Sequence, residues 1–337
     1  MNIQQALNNL LAKHNLSSTD MQAVMRSIMQ GEATSAQIAG FMIALRMKGE
    51  SVDEIAAAAQ VMRDLSSKVV IDIDDLVDTC GTGGDGSSTF NVSTASALVA
   101  ASAGVKIAKH GNRSVSSKCG SADVLEALGV KLDLSPEEVS ACVQQVGIGF
   151  MFAPMHHSSM KHAITPRKEL GVRTLFNLLG PLTNPAGAKR QVLGVFSDDW
   201  LEPIAQVLKS LSAQHVLVVH AQDGLDELSI AGPSNVCELR DGNISRYQVT
   251  PEEMGLERAS LDLIKVNDVQ ESVAMIRALL AGESGAAADI VALNAGAAIY
   301  VAGISKDLSA GVSLAQQQLA SGEAAQTLQQ LVTFSQQ

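Results

Sequence analysis

The apolar positions of the chain follow two regimes. Over roughly the first 65 residues the pattern is purely helical, with Thr34-Ser35 opening one helix and Ser51 with Glu54 forming a capping box that opens the next. In the helix from Ala36 to Met47, Ile38, Phe41, Met42 and Leu45 share one face, whereas Ala36, Ile43 and Met47 lie nearly opposite. A helix that is apolar on two faces needs two partners, so one face is expected in a domain core and the other against a second copy of the chain, in a homodimer.

From Leu76 onward short apolar strands alternate with helices. Leu76 to Cys80, Val105 to Ala108, Ile148 to Phe152, Val192 to Phe196 and His215 to His220 read as strands. Ser135-Pro136-Glu137-Glu138 and Thr250-Pro251-Glu252-Glu253 each supply a cap, a proline at the first helical position and glutamates behind it, and each predicts a helix start. This alternation predicts a mainly parallel sheet covered by helices on both faces. Asp241-Gly242, between Val236 to Arg240 and Ile244 to Val249, adds one antiparallel hairpin. From Asp268 on the pattern is helical, and no internal repeat or low-complexity linker interrupts it. The expected fold class is therefore α/β, with a small all-helical domain ahead of a large α/β domain.

Composition narrows the partners. With 46% hydrophobic residues in 337, the chain can bury a full core. A formal net charge of -11 and only 3% aromatics argue against nucleic acid, because phosphate backbones demand broad positive surface and bases need stacking platforms. Cys80, Cys119, Cys142 and Cys237 are scattered without a C-x-x-C pair, which suits a reducing cytoplasm and small buried hydrophobes. The N-terminus lacks the basic-then-apolar pattern of a signal peptide. The most apolar stretch, Ala286 to Ile304, is interrupted by Asp289 and Asn294 and rich in Ala and Gly; it reads as a buried, closely packed helix and not a membrane span. A cytoplasmic protein is expected.

Against that acidic background, Gly86 to Ala122 holds no acid, while Lys106, Lys109, Arg113 and Lys118 all fall inside it. A small anion is expected there. Gly81-Thr82-Gly83-Gly84-Asp85 follows a strand and precedes a helix starting near Val92, the arrangement that presents backbone N–H groups and a helix N-terminus to phosphate. Ser87, Ser88, Thr89, Asn91, Ser93 and Thr94 add hydroxyls and an amide. The spacing is neither a dinucleotide fingerprint nor a P-loop, and a glycine-rich turn alone also serves as a plain strand-to-helix connection. A second loop, Lys109-His110-Gly111-Asn112-Arg113, follows the next strand and so emerges at the same carboxyl edge, where ligands of such sheets bind.

Three further groups carry candidate chemistry. Asp226-Glu227 sits just past the strand ending at His220, where adjacent carboxylates suit Mg²⁺ bound through one or two carboxylates plus substrate phosphates; as an isolated motif the pair equally describes a solvated turn. His156, His157 and His162 lack zinc-site spacing and read as packing or hydrogen bonding at a helix start. Arg167 is either a helix-surface charge or a fork for a carboxylate.

The runs DTCGTGGDG, FNVSTASA, KHGNRSVSSKCGSADVLEALG, PRKELGVRTLFNLLGPLTNP and DGLDELS occur in this order between about residues 78 and 230. Together they resemble the anthranilate phosphoribosyltransferases of tryptophan biosynthesis, and the helical flanks fit as well, so the likeness covers essentially the whole chain. The resemblance implies a helical domain over 1–69, with about 167–186 returning to it, and an α/β domain over 70–337. In the cleft between them phosphoribosyl pyrophosphate (PRPP), Mg²⁺ and anthranilate would meet. Position by position, it implies PRPP contacts at Gly81, Gly84, Asp85, Thr89, Asn91, Val92, Ser93 and Thr94. Lys109, His110, Gly111, Asn112, Arg113, Ser114, Val115, Ser116, Ser117 and Ser121 would hold the remaining oxygens. It implies metal contacts at Ser93, Asp226 and Glu227 and anthranilate contacts at Gly81, Asn112 and Arg167; Lys109, Asp226 and Glu227 would act electrostatically. Positions around Met155 and Ser158-Ser159 depart from the family pattern near the acceptor's path, which bears on acceptor affinity and not on reaction type.

Two rival readings remain distinct. A pyrimidine nucleoside phosphorylase is similar in architecture but would carry Lys-His-Ser in place of Asp78-Thr79-Cys80, and a nucleic-acid-binding relative without activity would have lost Asp226-Glu227 and gained a basic face.

Overall fold

Side-chain caps divide the first 65 residues into four helices. Asn2, Ser17, Thr34 and Ser51 each accept the N–H three residues on, and open α1 (Ile3–Leu11), α2 (Ser18–Met29), α3 (Ser35–Lys48) and α4 (Val52–Leu65). The Ser51–Glu54 box is more than a local cap. Glu54 is fully buried and accepts from the N–H of Leu16 at 2.9 Å, the N–H of Ser51 at 2.8 Å and Nζ of Lys48 at 2.8 Å. One carboxylate thus ties the α1–α2 loop, the end of α3 and the start of α4. On α3, Ile38, Phe41, Met42 and Leu45 are buried as the periodicity predicts, while Met47 is 80% exposed.

The structure, a computed structural model, describes residues 1–113 and 119–337. Beyond the helical region its strands are β1 (Val77–Gly81), β2 (Ile107–Gly111), β3 (Ile148–Phe152), β4 (Arg190–Gly194), β5 (His215–Ala221), β6 (Ser234–Arg240) and β7 (Asn243–Val249). Between them lie α5 (Val92–Ser102), α6 (Ser121–Ala127), α7 (Pro136–Val146), α8 (Ala153–His156), α9 (Lys161–Leu170), α10 (Leu175–Leu179) and α11 (Leu201–Ser210). The chain closes with α12 (Val269–Leu280), α13 (Ala286–Val301), α14 (Leu308–Ser321) and α15 (Glu323–Ser335). Among the described residues the sheet has seven strands in the order β3-β2-β1-β4-β5-β6-β7. The first five pair in parallel, and β6 and β7 join antiparallel. The Asp241-Gly242 hairpin forms as expected, both residues taking positive φ, +50° and +79°, as a two-residue turn of matching twist requires.

Alternation along the strands separates two cores. Val192, Leu217, Val219 and Val236 face α5 and the C-terminal helices; Leu193, Val195, Val216, Val218, Cys237 and Leu239 face α11 and the N-terminal helices. Ala163 of α9 and Leu175, Phe176, Leu178 and Leu179 of α10 belong to the second core. On the first side α13 and α14 approach so closely that a Cβ on Gly296 would lie 2.5 Å from the backbone nitrogen of Val312. The apolar stretch is thus a buried helix, and no described helix is long and apolar enough to cross a membrane.

Two expectations need correction. Thr250-Pro251-Glu252-Glu253 makes its box, but only a single 3₁₀ turn (Glu252–Met254) follows, because Gly255 turns left-handed at φ +75° and ends it. The second strand starts later than expected and runs through Lys109, His110 and Gly111, so these residues are sheet and not loop.

The two boxes differ chiefly in burial, which predicts different costs. Glu54→Ala leaves Lys48 buried without its partner and should lower unfolding free energy by about 3–5 kcal/mol. Glu253→Ala, at an exposed box, should cost about 0.5–1.5 kcal/mol. Urea denaturation of the two variants measures the difference, and equal losses would contradict it.

Candidate functional site

The strand order reverses at β1: the chain runs from β1 out to β2 and β3, then returns to β4 on the other side of β1. At such a switch point the connecting loops diverge and leave a crevice at the carboxyl ends. Gly81 and Gly194, the last residues of β1 and β4, lie side by side there. Neither tolerates a side chain. A Cβ on Gly194 would fall 1.5 Å from the carbonyl oxygen of Asp226, and one on Gly81 would fall 2.5 Å from Asp226 Oδ2. The two glycines therefore admit the turn after β5, and Asn294 of α13 clamps it by bonding both the N–H and the carbonyl of Leu228, at 3.0 and 2.8 Å.

This packing places Asp226 and Glu227 beneath the glycine-rich loop. Asp226 Oδ2 accepts the N–H of Gly83 at 2.8 Å, and the backbone N–H of Ser93 is directed to Glu227. Burial, then the charge of Asp85, pushes Asp226 up to about 7; burial, then Asp226 and Asp85, raises Glu227 well above the carboxylate range. Neither forms an ion pair with a cation among the described residues; Arg173 and Lys109 offset their charge only from a distance. A cavity of about 20 Å³ lies between Ser93, Gly194, Asp226, Glu227 and Asn294, room for about one water-sized occupant. The fit is to a small hard dication, with two carboxylates from the chain and its remaining oxygens from a phosphate and water. No group of three or more His, Cys, Asp or Glu side chains that could hold a metal without such help is gathered among the described residues.

Lys109 is 2% exposed. Its Nζ donates to the Thr79 carbonyl at 2.5 Å and to Ser93 Oγ at 3.2 Å, and burial lowers its pKa while Asp78 and Glu227 oppose the shift. Asp78, fully buried beside it, accepts from the His110 N–H at 3.1 Å and from Asn184 Nδ2 at 2.8 Å. His110 packs on His157, ring centroids 5.1 Å apart, and burial drives the two imidazoles down to about 3 and about 4, so both are neutral near pH 7. His156 bonds the Ser67 carbonyl at 3.0 Å, in line with the hydrogen-bonding reading.

The glycine-rich loop leads into α5. Asn91 is its N-cap, accepting the Thr94 N–H at 3.1 Å; Ser93 and Thr94 lie in the first turn and Val92 is buried. Asp85 accepts the Ser87 N–H at 3.2 Å, Ser87 Oγ contacts Thr89 Oγ1 at 3.2 Å, and Thr89 bridges to Lys265. After β2, a Cβ on Gly111 would collide with Ser121 Oγ at 2.1 Å, and the Asn112 carbonyl accepts from the Ala122 N–H at 3.2 Å. Ser114, Val115, Ser116 and Ser117 lie outside the described residues, as does Lys118.

The described cations of the acid-free run do not form one basic patch. Lys106 donates to the Gln144 carbonyl, and Arg113 pairs with Asp123 at 3.0 Å and Glu126 at 2.8 Å, acids lying just past the run. Of the described cations in the run, Lys109 is the one whose charge acts on the acidic pair. Arg167 comes from α9, half-buried, 5.5 Å over the Phe176 ring, its pKa lowered by burial, with no carboxylate partner among the described residues.

Family models agree with this architecture. Residues 4–66 match the glycosyl transferase family helical bundle domain and residues 73–325 the glycosyl transferase family a/b domain. The anthranilate phosphoribosyltransferase of Thioalkalivibrio sulfidiphilus is 60% identical over 335 residues, covering 99% of each chain. The chain belongs to the anthranilate phosphoribosyltransferase family. The crystal structure of the Thermus thermophilus enzyme, 47% identical, superposes with a TM-score of 0.94 over 98% of this chain and 99% of its own. The Saccharomyces cerevisiae enzyme in complex with PRPP and Mg, 27% identical, superposes with a TM-score of 0.91 over 99% and 98%.

Within this member of the anthranilate phosphoribosyltransferases, four residues of the site escaped the sequence reading: Asp78, Asn184, Gly194 and Asn294. Asn294 left a trace, a lone amide in the most apolar run of the chain. The others needed the packing to show them.

The raised carboxyl groups predict a pH signature. Asp226 titrates near 7 when folded against 3.8 ordinarily, so its stabilising contribution is full below that ordinary value and is lost as pH rises through 7. His110 and His157, depressed, act with the opposite sign, their contribution lost as pH falls toward 4 and 3. The difference between wild type and the double variant Asp226→Asn, Glu227→Gln isolates the acids. In EDTA the variant should melt several degrees above wild type at pH 8 and no higher at pH 4, and a pH-independent difference in the scans would refute the assignment.

Proposed function

We propose that this protein transfers the 5-phosphoribosyl group of PRPP to the amine of anthranilate, giving N-(5-phosphoribosyl)anthranilate and pyrophosphate, a step of tryptophan biosynthesis. The observation that carries the reading is the meeting, at the switch point of the sheet, of the glycine-rich loop, Lys109 and an Asp226–Glu227 pair that has no ion-pair partner among the described residues. The phosphorylase alternative has no support from the relatives.

The donor would be held by Gly81, Gly84, Asp85, Thr89 and the α5 start from Asn91 through Val92 and Ser93 to Thr94. Lys109, His110, Gly111, Asn112, Arg113 and Ser121 would line its other side, together with Ser114, Val115, Ser116 and Ser117. Ser93, Asp226 and Glu227 are the groups that would hold Mg²⁺, which when bound neutralises charge on the leaving pyrophosphate. The bond from the ribosyl C1 to pyrophosphate oxygen breaks, the bond from C1 to the anthranilate nitrogen forms, and the nitrogen gives up a proton to water. The aromatic amine is neutral at pH 7, so the step needs no strong base, and the described residues of the site offer no nucleophile–base pair. Catalysis is positioning and electrostatics, with Lys109 near the departing oxygens and Arg167 on the acceptor carboxylate alongside Gly81 and Asn112. A half-buried guanidinium without a carboxylate partner among the described residues supports that role for Arg167.

The same reading divides the chain into a helical domain over 1–69 joined by about 167–186, and an α/β domain over 70–337. The packing of α9 against α2 and α3, and of α10 against α3 and α4, supports the division. It also makes the protein a cytoplasmic homodimer. The exposed second face of α3, with Met47 80% exposed, supports a two-fold contact through the helical domain.

Anthranilate fluorescence should fall only when chain, PRPP and Mg²⁺ are all present, and Arg167→Ala should raise the anthranilate KM by about tenfold to a hundredfold, about 1.4–2.8 kcal/mol, with the PRPP KM nearly unchanged. Phosphorolysis of thymidine or uridine with anthranilate untouched would sink the reading, and an unchanged anthranilate KM would return Arg167 to a surface charge. Light scattering at micromolar concentration should report twice the 35.2 kDa chain mass, and a monomeric mass would contradict the dimer.

A further inference from the structure

Arg173 lies in the short segment between α9 and α10, exposed to solvent, yet it makes contacts on three sides. Its Nη2 donates to the Gly84 carbonyl, its guanidinium lies 4.3 Å over the Phe196 ring, and its own carbonyl accepts from Nη1 of Arg46 on α3. The loop it grips has little means of holding itself. Gly83 and Gly84 sit at φ +66° and +76° and carry no side chains, so the backbone partners of the loop set its conformation. The other clips come from the sheet side: Thr82 N–H to the Gly194 carbonyl at 2.9 Å, Phe196 N–H to Thr82 Oγ1 at 3.1 Å, and Gly83 N–H to Asp226 at 2.8 Å. Arg173 supplies the clip on the helical side, and the ring it stacks on belongs to the residue that anchors Thr82.

We infer that Arg173 is a positioning residue, holding the glycine-rich loop in the shape that receives the donor and linking that loop to the helical domain through Arg46. The inference rests on the reading above, in which the loop binds PRPP. An arginine suits the place because one planar group donates to a carbonyl and stacks on an aromatic face at once; a lysine ammonium offers a donor without the flat surface.

The test uses the full-length chain with Arg173→Met, Arg173→Lys and Arg46→Met. Without ligand, amide hydrogen exchange at residues 82–86 should quicken about fivefold or more in Arg173→Met while the melting temperature holds. The PRPP KM should rise about tenfold, with kcat and the anthranilate KM within about twofold of wild type. Arg173→Lys should fall between wild type and Arg173→Met, and Arg46→Met should move both readouts the same way by less. Unchanged exchange at 82–86 would overturn the inference, as would quickened exchange with an unchanged PRPP KM or an equal rise in the anthranilate KM. A wild-type chain that leaves PRPP untouched would overturn the functional reading instead, and the exchange measurement alone would then decide whether Arg173 holds the loop.

Discussion

Two adjacent carboxylates, Asp226 and Glu227, are held largely out of water with no cation paired to them among the described residues, and much of the α/β region is arranged so that this can happen. Burial and mutual repulsion both oppose their ionisation. The turn survives because its backbone is satisfied independently of its charges: Asn294 bonds Leu228, and Gly194 and Gly81 leave space for Asp226. A site built in this way has a standing deficit of positive charge. On the proposed reading, a dication brought with a pyrophosphate would meet both needs, the phosphate supplying oxygens to the ion and the ion screening the phosphate from the carboxylates.

Lys109 shows how the rest of the site is balanced around that deficit. It is a buried ammonium in a strand, bonded to a carbonyl and a hydroxyl, with Asp78 on one side and Glu227 on the other. Asp78 in turn is satisfied by Asn184 and the His110 N–H, so the charges beneath the cleft form a chain of opposite signs and not a basic patch. His110 and His157 add bulk and aromatic surface without adding charge, because burial keeps both neutral.

The helical region reaches this site through the segment that joins α9 to α10. Arg167, on α9, and Arg173, in that segment, lie on opposite sides of Gly171, which ends α9 in a left-handed turn at φ +60°. That turn separates their surroundings: Arg167 packs over Phe176 of α10, and Arg173 over Phe196 beyond β4.

Most of the architecture was legible in the residues. Alternation and capping act within a few positions, so the strands, the Asp241-Gly242 hairpin and the Ser135 helix start could be read directly, and the long motifs named the family. What lay beyond was decided by contact between distant segments. The same capping-box pattern buries Glu54 as a hub of three segments and leaves Glu253 on the surface over one turn of 3₁₀ helix, a difference no local rule contains. Within the acid-free run, Arg113 is taken up by Asp123 and Glu126 of the following helix, a pairing that no count of charges along the run contains. The Asp226-Glu227 pair had the sequence of a solvated turn and became a desolvated one only because Gly81 and Gly194 lie beside it. Periodicity and capping are properties of neighbours along the chain; desolvation and close approach depend on which elements meet in space, and for this protein only the tertiary structure decided that.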